Sequence, residues 1–147
     1  MTERAEGTIV IASPPGRVMD VLTDFEGYPA WAEVRSARVL ERGAGGLATR
    51  VRFELQVPGL GGADYVLAYR YAPGDAGMSW TSTEANGAVS GVAGEYLLAE
   101  TDDGGTQVTY RLDVELAVLL PGVLRSKGQE LLIANALGNL KRRVEGR

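Results

Sequence analysis

Thr49, Val51, Phe53, Leu55 and Val57 alternate with Ala48, Arg50, Arg52, Glu54 and Gln56. A period of two puts each set on its own side of a strand, so residues 47–57 predict a strand with one apolar and one mostly polar face. The alternation returns in residues 63–71, where Tyr65, Leu67, Tyr69 and Tyr71 share a face. It returns again in residues 106–118, through Val108, Tyr110, Leu112, Val114 and Leu116. Residues 7–12, 34–41, 78–83 and 88–99 have strand composition with a weaker pattern. Turn segments rich in Gly, Pro and Asp fall at residues 42–46, 58–62, 73–77 and 101–105.

Two stretches change period. Ser13 is a good helix N-cap, and Pro14 and Pro15 suit a first turn, whose N–H groups have no intrahelical partner. The helix is expected to run to Thr23 with Val18, Val21 and Leu22 as its apolar stripe. Asp24 is placed to cap a further turn, and Tyr28-Pro29-Ala30-Trp31 reads as a second short helix. After the break at residues 119–122, the helix period holds to Val144, a length of roughly 36 Å at 1.5 Å per residue. Leu124, Leu131, Leu132, Ala136, Leu137, Leu140 and Val144 form its apolar face. Gly128 and Gly138 weaken the helix intrinsically, which predicts close packing against the sheet. The expected architecture is α+β. A strongly curved antiparallel sheet of six to seven strands wraps around the long C-terminal helix, with two short helices after the first strand. Residues 1–147 form one domain with its core at about residues 7–145.

Composition narrows the chemistry. The 147 residues include no His and no Cys. Imidazole and thiolate ligands, Cys nucleophiles, His bases and disulfides are therefore excluded, and neither a metal nor a cofactor is expected. Any catalysis must use Asp, Glu, Lys, Arg, Tyr, Ser or Thr, bound water, or an external cofactor. The lack of disulfides suits a cytoplasmic location. Glu3 and Arg4 precede no long apolar run, so no secretory signal is expected. No stretch reaches the roughly 18 apolar residues of a membrane-spanning helix. The net charge of −4 disfavours nucleic acid as a partner. The basic residues Arg125, Lys127, Lys141, Arg142, Arg143 and Arg147 read first as a solvated helix end that complements the helix dipole. Weak contact with a membrane surface is the alternative for that end, and a homodimer is an alternative for the whole molecule. The glycine-rich run at residues 43–46 lacks the Lys-Ser/Thr ending of a phosphate loop and reads as a hairpin turn.

The run from Thr8 to Trp31, with Ala12-Ser13-Pro14 after a strand, then Asp24-Phe25 and Tyr28-Pro29-Ala30-Trp31, resembles the opening of the polyketide cyclase/dehydrase family. Tyr110-Arg111-Leu112, Leu120-Pro121-Gly122 and the closing helix through Leu140-Lys141-Arg142-Arg143-Val144-Glu145 resemble its end. That family is part of the START-related, birch-pollen-allergen-like (SRPBCC) superfamily. The resemblance implies the helix-grip fold and an internal cavity between sheet and helix. It does not select one function, because the superfamily holds both carriers and aromatase/cyclases.

The first expectation is binding or transport of a hydrophobic or amphipathic small molecule, such as a lipid, fatty acid or polyketide-like compound, in that cavity. Its expected lining is Trp31, Phe53, Leu55, Leu67, Tyr69, Trp80, Tyr96, Tyr110, Leu112, Leu124, Leu131 and Asn135. Tyr110, on the apolar face of its strand, is the best polar candidate, since a buried hydroxyl needs a partner. The alternative is an aromatase/cyclase-like enzyme that uses Tyr110 and Glu54 in place of His. No constellation of residues by itself marks an active site.

Overall fold

The computed structural model describes residues 3–57, 59–117 and 122–146, with the backbone alone for residues 3, 4 and 122–127. The chain forms β1 (Glu3–Ile11), α1 (Pro15–Thr23), a short 3-10 helix (Phe25–Ala30) and β2 (Ser36–Arg42). It continues with β3 (Ala48–Val57), β4 (Gly61–Tyr71), β5 (Gly77–Gly87), β6 (Val89–Glu100), β7 (Thr106–Leu116) and α2 (Gly122–Gly146). The seven strands make one antiparallel sheet in the order β1-β7-β6-β5-β4-β3-β2. From β2 onward each strand pairs with the next along the chain. β1 instead joins β7, with Gly7 opposite Tyr110. α1 and the 3-10 helix carry the chain from one edge of the sheet to the other.

The seven strands and the long helix agree with the expected α+β class, but the wrapped sheet does not. The sheet is open, with β1 and β2 as unjoined edges, and it is neither curled nor closed around α2. α2 lies along β1 and β7. The physical reason lies in the helix, whose buried stripe is narrow. Ile133, Leu137, Leu140 and Val144 are buried, whereas Leu131 is 63% and Leu132 42% exposed. A helix with one buried stripe needs one surface to pack on. Period-two alternation reports which side of a strand is buried and carries no information on closure.

The glycine that lets helix and sheet approach is Gly7. A Cβ there would lie 2.5 Å from Ile133 Cγ2 and 3.2 Å from Leu137 Cδ1. The expectation for Gly128 and Gly138 is thus corrected. Gly128 is exposed with no described atom near its Cβ position, and Gly138 faces only the Arg142 guanidinium.

Local chemistry accounts for the other differences. Pro14, not Ser13, takes the N-cap position of α1, and no side chain caps that helix or the 3-10 helix after Asp24. The Ser13 carbonyl instead accepts a 2.7 Å hydrogen bond from the Thr106 hydroxyl, which fixes the entry to α1 against the start of β7. β5 runs on to Gly87 because Asn86 and Glu84 find cross-strand partners on β3 and β4. The break expected at residues 119–121 lies outside the described residues. α1 contributes Val18, Met19 and Leu22 to the core, which joins Phe25, Val51, Val108, Leu140 and Val144.

Candidate functional site

The inner face of the sheet is built by the alternation itself. β3 supplies Phe53, β4 Tyr65 and Tyr69, β5 Trp80, β6 Tyr96 and β7 Tyr110. Their rings form a continuous row. Tyr69 lies 5.8 Å from Trp80 between centroids, and Trp80 lies 5.3 Å from Tyr96. Tyr96 and Tyr110 stack at 4.5 Å with 19° between planes. The row turns the other way through Phe25, 4.7 Å from Tyr69, and Tyr28, 5.7 Å from Phe53, and ends at Trp31, 4.9 Å from Tyr28. These spacings suit offset and tilted ring contacts, which stabilise the wall beyond the area they bury. Gly94 makes room for it, since a Cβ would sit 2.8 Å from Trp80 Cζ2.

The tyrosine hydroxyls divide into two groups. Tyr28 donates to the Leu22 carbonyl and Tyr71 to the Ala48 carbonyl, each at 2.6 Å. Neither Tyr65 nor Tyr69 has a hydrogen-bond partner among the described residues. Tyr65 is half-buried and Tyr69 is 7% exposed, and Gln129 Nε2 is a side-chain polar atom sealed from solvent and unpartnered among the described residues. Burial pushes the Tyr65 phenol up to about 12. Burial, reinforced by neighbouring tyrosines, raises Tyr28, Tyr69 and Tyr110 well above the ordinary value, and burial likewise raises Tyr96. At neutral pH these groups are phenols that donate hydrogen bonds, and none is poised to take a proton.

Gln129 is the residue that sequence reasoning missed. It is 7% exposed, and its Oε1 accepts the Val114 N–H at 3.3 Å. The available signal was its position four residues before Ile133, in phase with Leu137. A polar residue on an otherwise apolar stripe is informative. Asn135, the expected amide, is exposed instead, as is Leu131. The two are four residues apart and share the helix face opposite Ile133 and Leu137. They do not meet the aromatic row.

Phe53, Leu67, Tyr69, Trp80, Tyr96, Tyr110 and Leu112 are buried in one cluster, with Trp31 and Leu55 half-buried against it. The Leu124 side chain lies outside the described residues. Glu54 points away from the row. It is exposed and accepts a 2.7 Å hydrogen bond from Ser36 on β2, so it is not placed to act with Tyr110. On the opposite face two arginines pair with carboxylates across strands. Arg52 meets Asp64 at 2.5 Å and Glu84 at 2.6 Å, and Arg111 meets Glu6 at 2.8 Å and Glu95 at 3.0 Å. Among the described residues no group of His, Cys, Asp or Glu could hold a metal ion. No helix among them is long and apolar enough to cross a membrane.

An open antiparallel sheet, a long C-terminal helix along one edge and an aromatic inner face define a helix-grip protein. The family model described as polyketide cyclase / dehydrase and lipid transport matches residues 2–145, and the chain belongs to that family. Solved structures repeat the fold. A START superfamily protein from Mycobacterium smegmatis superposes with a TM-score of 0.88 at 19% identity, over 97% of each chain. The Zhui aromatase/cyclase from Streptomyces sp. R1128 gives 0.76 at 21%, over 99% of this chain and 97% of its own. A protein from Thermus thermophilus gives 0.76 at 25%, over 99% and 98%. No curated protein matches the sequence.

Proposed function

We propose that the protein binds a hydrophobic or amphipathic small molecule, of lipid, fatty acid or polyketide-like character, against the aromatic inner face of the sheet. The observation that carries this reading is the pair of hydroxyls on Tyr65 and Tyr69. They stand in an apolar wall, Tyr69 buried and Tyr65 half-buried, and have no partner among the described residues. Apolar burial drives binding at about 25 cal/mol per Å², and a few phenols fix orientation by donating to ligand oxygens. The proposed lining keeps Trp31, Phe53, Leu55, Leu67, Tyr69, Trp80, Tyr96, Tyr110 and Leu112, adds Tyr65, and drops Leu131 and Asn135.

The test is titration with an apolar fluorophore displaced by dodecanoate. Tyr69→Phe keeps the ring and removes the hydroxyl. Affinity is expected to fall about tenfold, the worth of one hydrogen bond of about 1–1.5 kcal/mol, with the melting temperature almost unchanged. Unchanged affinity removes Tyr69 from the site. A wild-type protein that binds neither fluorophore nor fatty acid overturns the reading.

An aromatase/cyclase-like activity is a second reading, supported by the stacked Tyr96–Tyr110 pair, whose protonated phenols suit donation to an enolate oxygen. The aromatase/cyclase likeness is one of fold. Cyclisation of a polyketide mimic that is lost in Tyr110→Phe supports this reading, and absence of turnover in the wild type removes it.

A further inference from the structure

A cleft of about 270 Å³ lies outside the aromatic row, between the 3-10 helix and the last turns of α2. Ala30 and Trp31 line one side, and Asn139, Arg142 and Arg143 the other. Trp31 belongs to both regions, because its ring packs on Tyr28, which continues to Phe53. The cleft is therefore joined to the interior wall by one indole.

Its charge stands out in a chain with a net charge of −4. Arg52 and Arg111 on the sheet each sit between two carboxylates. Arg142 and Arg143 do not. Among the described residues neither meets a carboxylate. Glu145, the acidic residue of the same helix end, is committed to Lys141 at 2.8 Å and to the Ala12 N–H at 2.7 Å. Arg142 is also held in place. Its guanidinium folds back over the bare backbone of Gly138, where a Cβ would lie 3.6 Å from Nη1, and it donates to Asn139 Oδ1. That leaves guanidinium donors in one cleft with an indole. Such a pair favours an oxygen anion on a chain that continues as hydrocarbon.

We infer that this cleft is a charge-selective mouth, in which Arg142 and Arg143 hold the anionic head of an amphiphile whose apolar part passes Trp31 toward the inner face. The inference rests on the interior-binding reading above and names its ligand class as anionic amphiphiles, with a carboxylate or phosphate head. A helix-end role for the two arginines, offsetting the dipole of α2, predicts an effect on stability alone.

The experiment compares dodecanoate, dodecyl phosphate and dodecanol on the wild type and on the double variant Arg142→Gln, Arg143→Gln. Inorganic phosphate tests the head alone. The wild type is expected to bind the two anions about tenfold more tightly than the alcohol, with the preference shrinking as salt rises. The double variant should lose that preference and keep its affinity for dodecanol. Dodecanoate favoured over dodecyl phosphate, or the reverse, assigns the head group. Phosphate that competes with both anions but not with dodecanol supports the mouth directly. Equal affinity for anion and alcohol in the wild type overturns the inference and leaves the interior reading standing, as does an equal loss for all probes in the variant. A wild type that binds no probe overturns both.

Discussion

On the outer face of the sheet, Arg52 sits between Asp64 and Glu84, and Arg111 between Glu6 and Glu95. On the inner face, Tyr65 and Tyr69 present hydroxyls that no described residue satisfies. The same strands make both faces, with β3 giving Arg52 to one and Phe53 to the other. Arg52 and Arg111 each meet two anions across strands, and these pairs support strand pairing while remaining in contact with water. The inner-face hydroxyls lie in a wall of rings that excludes most water and leaves donor capacity unused. What separates scaffold from site is thus whether a polar group already has its partner.

The largest expected effect comes from breaking the wall. Phe25 is 1% exposed and contacts Tyr28, Phe53 and Tyr69. Phe25→Ala should cost about 3–5 kcal/mol in chemical denaturation, the range for removing a buried aromatic ring. A loss below about 1 kcal/mol would mean that the row is loosely packed and does not form a shaped surface.

A smaller and graded effect comes from titrating the wall. Burial raises the phenols in the folded state above their ordinary value of 10.0, Tyr65 to about 12, and Tyr69 is likewise raised well above the ordinary value. Above about pH 10 the unfolded chain loses phenolic protons that the folded chain keeps, so the unfolded state is favoured. Stability is therefore intact below about pH 10 and falls as pH rises through 10 toward 12 and beyond. Denaturation midpoints across this window, followed beside phenolate absorbance, check it. Phenolate appearing near pH 10 with the fold intact would show that water reaches these hydroxyls freely.

The legible part of this molecule was local. Alternation placed Phe53, Tyr69 and Tyr110 on the buried side of their strands because a pleated strand has a period of two regardless of its neighbours. Pro14 and Pro15 marked the start of α1 for the same reason, as fixed backbone chemistry. The seat of α2 was not legible. The seven apolar positions suggest one broad face, which puts Leu131 inside and passes over Gln129. Contact with β1 selected the narrower phase of Gln129, Ile133 and Leu137, and it did so through Gly7, more than a hundred residues away. Sheet closure depends on strand order and twist, which no single segment records.

The smallest expected effect tests the other side of the comparison. Arg52→Gln removes the cation between Asp64 and Glu84. The Arg52 hydrogen bond and charge hold the Glu84 carboxyl below its ordinary range. A carboxyl lowered in the folded state stabilises above that range, and its contribution is lost as pH falls through the folded value. The variant should show a small drop in melting temperature at neutral pH. The drop should shrink in high salt, which screens an exposed pair, and should shrink again in acid as the carboxyls protonate. Affinity for dodecanoate should not change, because Arg52 is on the face away from Tyr69. If Arg52→Gln weakened binding as much as Tyr69→Phe, the two faces would be coupled through β3, and a polar group's existing partner would no longer separate scaffold from site.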